Sequence, residues 1–155
     1  MRIILFITLL PAFLAISCRP GTVYEKHRNT SGLVWNRFDV KKFEVEIQDI
    51  SRAYDFYIAI RHHTDIPYSN LDIYFTLFTA SGEVRTNKYQ IPVKNKDGKL
   101  LGDGLGNLWD LHHRIFEGFT FTEPGINTFE ISSAMPHADL GGIMQVGLIV
   151  KKSKI

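Results

Sequence analysis

Apolar side chains recur at every second position along most of this chain, and that period commits it to strands with one buried face. In "FEVEI", Phe43, Val45 and Ile47 alternate with Glu44 and Glu46. In "YDFYIAIR", Tyr54, Phe56, Ile58 and Ile60 share a face, opposite Asp55, Tyr57, Ala59 and Arg61. "LDIYFTLFT" puts Leu71, Ile73, Phe75 and Leu77 on one side, with Tyr74 and Phe78 on the other, which predicts a central strand covered on both faces. In "EVRTNKYQIPV", Tyr89, Ile91 and Val93 align, and Pro92, which lacks an amide donor, marks an edge strand or its end. "LHHRIF" and "GFTF" read as one strand bent at Gly118, and "GINTFEI" and "GIMQVGLIV" as the last two. Between those two, "SSAMPHADL" reads as one helical turn stopped by Pro136. The turn signals "IPYSN", "ASGE", "KDG", "EPG" and "LGG" divide the runs. Many short strands with regular turns and no long helical period predict an all-β fold: a two-sheet antiparallel β-sandwich or jelly roll, in a single domain.

The N-terminal stretch is of another kind. After Met1-Arg2 comes "IILFITLLPAFLAI", an apolar run shorter than the roughly 20 residues a bilayer-spanning helix needs. A short apolar run behind a positive residue reads as a secretory signal. The run ends at Ser17-Cys18, and Cys18 is the only cysteine in the chain, so no internal disulfide can form. The spacing predicts a bacterial lipoprotein signal at residues 1–17, with cleavage before Cys18 and acylation (palmitate or a similar chain) of that residue. Residues 18–31, the lipidated cysteine and the polar "RPGTVYEKHRNTS", read as a tether, and 32–155 as the sandwich domain. The segment after Cys18, "RPGTVYE", lacks a run of acids. With 18 basic against 16 acidic residues, the charge balance gives no case for nucleic acid. The basic cluster Lys151-Lys152-Ser153-Lys154 reads as a solvated tail.

The stretch "DGKLLGDGLGNLWD", Asp97 to Asp110, is dense in glycine. A phosphate cradle needs a glycine loop between strand and helix, and here strand-like sequence follows. Asp97, Asp103, Asn107 and Asp110 offer oxygen ligands for calcium, but their spacing matches no EF-hand loop. The remaining reading is structural: the glycines supply backbone freedom, Leu100, Leu101, Leu105 and Leu108 fold onto the sandwich, and Trp109 plugs one end. One histidine from each doublet, His62-His63 and His112-His113, with Asp65 or Asp110, would be needed to build a metal site across two strands. Ser69, His113 and Asp110 are the materials of a catalytic triad, without a nucleophile-elbow sequence around the serine. We assign no catalytic residue, metal or cofactor. Trp35, Tyr57, Tyr68, Tyr74, Phe78 and Trp109 are many aromatics for a small domain, and such rings stack on sugars or on protein partners.

"IPYSNLDIYFTLFTASGEV", "DGKLLGDGLGNLWD" and "INTFEISSAMPHADLGGIMQVGLIVKK", in that order, resemble the gliding-motility lipoprotein GldH family of the Bacteroidetes. The marks are Tyr68-Ser69-Asn70-Leu71, the glycines 102, 104 and 106, Phe129-Glu130-Ile131 ahead of Met135, and Val146-Gly147-Leu148. Leu100 stands where the family pattern has a tryptophan, and Pro136-His137 where it has a basic pair. The resemblance implies a non-enzymatic envelope lipoprotein of the gliding apparatus, connected with type 9 secretion and working through envelope-protein contacts; in that phylum a run of acids after the cysteine resembles a surface-export signal, so its absence after Cys18 implies the periplasmic face of the outer membrane. It makes Tyr68, Ser69, Asn70, Gly102, Asp103, Gly104, Gly106, Trp109 and Asp110 the candidate interaction loop. The alternative is a lipoprotein that binds carbohydrate or peptidoglycan.

Overall fold

The structure, a computed structural model, describes residues 21–155. The expected signal peptide, residues 1–17, and Cys18 lie outside the described residues. Eleven strands are present: β1 (Thr22–Asn29), β2 (Val34–Asn36), β3 (Lys41–Ile47), β4 (Ala53–His63), β5 (Asn70–Phe78), β6 (Val84–Pro92), β7 (Asp103–Leu105), β8 (Leu108–Thr120), β9 (Gly125–Ser133), β10 (Asp139–Gly141) and β11 (Ile143–Lys152). A five-stranded sheet in the order β1-β11-β4-β8-β7 faces a four-stranded sheet in the order β3-β9-β5-β6. β10 and β2 form a small ribbon beside them. All pairings are antiparallel. The described residues thus form an all-β, two-sheet antiparallel sandwich.

The alternation in the sequence is the alternation of burial. β3 reads buried-exposed through its whole length, with Phe43, Val45 and Ile47 inside. β4 turns Tyr54, Phe56, Ile58 and Ile60 inward, β11 adds Val146, Leu148 and Val150, and β9 adds Phe129 and Ile131 from the other sheet. Phe56 is the meeting point. Its ring centroid lies 5.2 Å from Phe129 and 6.1 Å from Phe75 of the facing sheet, and 5.3 Å from Phe119 of its own. Phe116 and Phe119 both reach this cluster because β8 bulges twice against β4, at the Tyr54/Phe56 and Phe56/Tyr57 steps. The bend falls at Gly118, as its sequence suggests. The Gly118 amide donates to the buried Asp55 carboxylate at 2.9 Å, so a buried charge on the outer face of the sheet is satisfied.

Several expectations are corrected. The tether contains a strand: β1 occupies 22–29 and pairs with β11 from Thr22↔Lys151 to Asn29↔Gln145. It reads as polar because it is an edge strand whose inward positions carry long amphipathic side chains. Arg28 lays its guanidinium 5.8 Å from the Phe43 ring centroid and Tyr24 packs on the core rim. "SSAMPHADL" forms no helical turn; its end is β10, paired to β2 through Leu140↔Trp35. β5 is central but covered on one face alone: Tyr74 is 45% exposed, and Phe78 opens to the same outer surface. Trp35, read as a surface aromatic, is fully buried (0% exposed), its indole N–H donating to the Asp39 carbonyl at 3.0 Å. Pro92 does end β6, which is an edge strand.

Only β5–β6 and β7–β8 are joined within one sheet; every other connection leaves the sheet it started in. The loops therefore gather at two poles. Residue 21, the 48–52 loop and the C-terminal tail share one pole, where Lys152 pairs with Tyr54 and its amide donates to the Gly21 carbonyl. The other pole lies eight residues along β4, about 26 Å away at the usual strand rise; we call it distal.

The aromatic cluster makes a simple prediction. Phe56→Ala should cost about 3–5 kcal/mol, as large-to-small changes at full burial do. Tyr74→Ala, on the open face, should cost well under about 1 kcal/mol. Denaturant midpoints for the two variants check the contrast.

Candidate interaction site at the distal pole

The structure brings the two signature stretches to the distal pole and joins them through the backbone. The Ser69 carbonyl accepts from the Val93 amide at 2.8 Å and the Lys94 amide at 3.1 Å, and the Val93 carbonyl accepts from the Leu101 amide at 2.8 Å. Val93, fully buried, is the strut between them. The Thr64 amide donates to the Asn107 carbonyl at 2.9 Å, which ties the glycine hairpin to the loop after β4. Tyr68 packs half-buried on the core, and Asn70 opens β5 opposite Pro92. In the "KDG" turn, the Asn95 side-chain oxygen accepts from the amides of Asp97 and Lys99.

The glycines do different work. Gly102 has φ +96°, and a Cβ there would sit 2.3 Å from the Asp110 carbonyl oxygen, so the position excludes side chains twice over. Gly104 has no such φ; it leaves room for Trp109, whose ring would lie 2.7 Å from any Cβ at 104. Trp109 is therefore half-buried on its own hairpin rather than a plug in the sandwich end. Gly106 has φ +62° in open space, at the turn of the hairpin. Leu100 and Leu101 fold onto the core as expected, but Leu105 does not: it is 89% exposed at the hairpin tip.

Of the loop's acids, Asp103 and Asp110 stand opposite each other on paired strands, and Asp97 lies apart from them. Asp110 projects from the outer face of the five-stranded sheet, where Arg61 grips it with two donors, Nε to Oδ1 at 2.7 Å and Nη2 to Oδ2 at 2.8 Å. The guanidinium holds the Asp110 carboxyl below the usual carboxylate range. Asp103 pairs across from Asp110 on β7 and is exposed, and Asp97 lies in the turn before it. Among the described residues no three His, Cys, Asp or Glu side chains are placed to hold a metal ion. The triad materials do not meet either. Asp110 pairs with Arg61 on the outer face, while His113 pairs with Ile58 on the inner face. The doublets split the same way: His62 and His113 face inward, His63 and His112 outward, four residues apart along the ladder.

Sequence reasoning missed the opposite wall of this pole. Leu33 is exposed at φ +62°, a left-handed conformation that costs a leucine about 1–3 kcal/mol. Its carbonyl accepts from the amides of Gly142 and Ile143, which fix it there. With His63, Asp65, Pro67, Gly141 and Gly142 it lines an open cleft of about 320 Å³. Phe38, 82% exposed, follows on the β2–β3 connection. The usable signal was an isolated apolar residue between turn formers, as in "SGLV" and "GLG".

The family profile of the GldH lipoprotein matches residues 22–150, from the first residue of β1 into β11. The chain belongs to that family. It is 26% identical over 102 residues to the gliding motility lipoprotein GldH of Flavobacterium johnsoniae, covering 66% of this chain and 64% of that one, just under two thirds of the relative's length. It is 27% identical over 155 residues to the gliding motility lipoprotein GldH homolog of Christiangramia forsetii, covering 96% and 94%. Among solved structures, that of infectious bursal disease virus, Gx strain, aligns at a TM-score of 0.30 and 15% identity, over 84% of this chain and 29% of that one, a score too low to bear on the fold.

Two predictions come from this geometry. Gly102→Ala should destabilise the domain by at least about 2 kcal/mol, whereas Gly106→Asn should cost under about 1 kcal/mol, because asparagine tolerates the left-handed region. Thermal melts rank the two. The second concerns His62, fully buried at the distal end of β4. Its Nδ1 lies 2.9 Å from the His63 carbonyl and so carries the proton, leaving Nε2 with no hydrogen-bond partner among the described residues. Burial pushes its pKa down, and burial does the same to His113. The unfolded chain then takes up protons that the folded one refuses. Stability should be full above the ordinary imidazole range and fall as pH drops below about 6.5. His62→Leu should flatten the fall in melting temperature between about pH 7 and about pH 5.

Proposed function

We propose that this protein is a non-enzymatic component of a gliding-motility apparatus, connected with type 9 secretion, that works from the periplasmic face of the outer membrane through protein–protein contacts. The lipid on Cys18 holds one pole of the sandwich to the membrane, and the distal pole meets the partner. The observation that carries the reading is Leu105: a large apolar side chain, almost wholly exposed, on a hairpin braced by buried Val93 and by Trp109 over Gly104. A rigid apolar tip of this kind fits a pocket on another protein at little ordering cost. Family membership supports the cellular setting.

The outer face of the four-stranded sheet supports a second reading, since Tyr74 and Phe78 stand open on it, four residues apart on one strand. Such a flat aromatic face suits sugar rings.

The test is Leu105→Asp in cells whose own copy of the gene is deleted. The variant should fold with stability within about 0.5 kcal/mol of the parent, yet lose its cross-linked envelope partner and colony spreading. Retention of both would overturn the distal-pole reading, and loss of glycan binding in Tyr74→Ala would favour the second. The anchor is tested separately: Cys18→Ala should lose fatty-acid labelling and move to the soluble fraction.

A further inference from the structure

The lysines at the C-terminal end are not a free tail. β11 carries Lys151 and Lys152 back to the pole where residue 21 enters the fold, and the Lys152 amide donates to the Gly21 carbonyl at 2.8 Å. The next residue is pinned as well, since the Ser153 amide donates to the Ala53 carbonyl at 2.8 Å. Lys151, Lys152 and Lys154 line, with Tyr57 and Arg114, an open cleft of about 610 Å³. The acids of that cleft are already engaged: Glu117 lies 2.7 Å and Asp55 4.0 Å from the Arg114 guanidinium. The Lys151 ammonium sits 4.8 Å from the Tyr57 ring centroid. Among the described residues none of the three lysines forms a close ion pair; Lys152 feels the Asp49 carboxylate of the 48–52 loop only at longer range, where it adds to the Ser51 hydrogen bonds and Arg52 in holding that acid's pKa down.

Distance turns this cluster into a membrane feature, provided the anchor at Cys18 proposed above holds. Cys18 to Gly21 is three residues, which span at most about 11 Å fully extended. Lys152, bonded to Gly21, is thus held within about two Debye lengths of the bilayer surface at physiological salt, close enough for its flexible side chain to reach the headgroups. A lysine so placed is attracted to anionic lipid headgroups. The same pole exposes apolar side chains that have no core to join: Ile50 in the 48–52 loop, Ile126 at the start of β9, and Ile155, 85% exposed. Basic and apolar groups on one surface are what interfacial binding requires.

We infer that this pole is a second membrane contact, in which Lys151, Lys152 and Lys154 bind the phosphates of anionic lipid headgroups and set the domain upright on the bilayer. The acyl chains supply retention; the lysines supply orientation.

The test uses the full chain carrying Cys18→Ala, so that no acyl chain contributes. It is sedimented with vesicles of phosphatidylcholine alone and of phosphatidylcholine mixed with phosphatidylglycerol. The partition coefficient should rise at least about tenfold with the anionic lipid and collapse at high salt. Lys152→Glu with Lys154→Glu should abolish that rise while leaving binding to neutral vesicles unchanged; the apolar N-terminal run and Arg2, common to both proteins, cancel in the comparison. Equal binding to both vesicle types, or an unchanged rise in the charge-reversed variant, would overturn the inference. So would displacement by inorganic phosphate at constant ionic strength, which would mark a free-anion site instead. Fatty-acid labelling of the unmutated chain reports on the anchor independently: labelling without the anionic preference sinks the lysine surface alone, and the preference without labelling sinks the anchor.

Discussion

The contact on which the rest depends is the packing of Phe56 between the two sheets. Each sheet has one apolar face and must bury it against something. Phe56 sits at the centre of that burial, with Phe129 and Phe75 across from it and Phe119 alongside. Once the sheets are clamped face to face, connections between them can pass only around the ends. That confines nearly all the loops to two poles, and irregular backbone, which carries polar groups that need solvent, is free to vary only there. The polar organisation of function in this molecule follows from its core.

The second constraint is the pairing of β1 with β11. It is an edge pairing made by a strand of mostly polar residues, so little apolar burial drives it. What holds it is the ladder itself, together with Arg28 over Phe43 and Tyr24 on the core rim. A charged edge also discourages the sheet from recruiting a strand from another chain. The pairing decides where an anchor on Cys18 would sit. Without β1, the polar stretch after Cys18 would be a free leash, and the domain could tumble above the membrane. With it, the chain is fixed from Thr22 onward, and the reach of the anchor is cut to a few residues.

What the sequence revealed, and what it hid, divides along the same physics. Period-two alternation is produced by burial on one face, so strands such as β3 and β9 were legible residue by residue. Pro92 and Gly118 were legible because a missing amide and a positive φ have few other uses. β1 was hidden because an edge strand solvated on most positions has no alternation to show. Short β2 and β10 were hidden because three residues are too few for a period. At the candidate site, the glycine density pointed to the right pole, but individual roles were set by contacts distant in sequence. Asp110 is claimed by Arg61, Ser69 serves through its carbonyl, and Leu105 faces outward because its hairpin is the last two strands of the sheet edge. Trp35 was misplaced for the same reason: its burial depends on β10, a hundred residues away along the chain.

Charge at one pole and exposed leucine at the other give the molecule a direction. An acyl anchor on Cys18 would hold the domain at the bilayer but would not by itself set its tilt, because a single point of attachment constrains position and not orientation. A partner contact at the distal pole, some 26 Å along β4, would then be spread over a wide cone of orientations, and each would have to be searched before docking. Three lysines near the surface narrow that cone at modest energetic cost. They gain headgroup contacts only when the pole faces down, and Leu105 is then presented away from the bilayer. Preorganisation of this kind improves association without any added contact at the partner interface. Two of the three lysines, Lys151 and Lys152, sit on β11 rather than on a loop, and a strand end hydrogen-bonded to Gly21 cannot swing away from the surface beneath it.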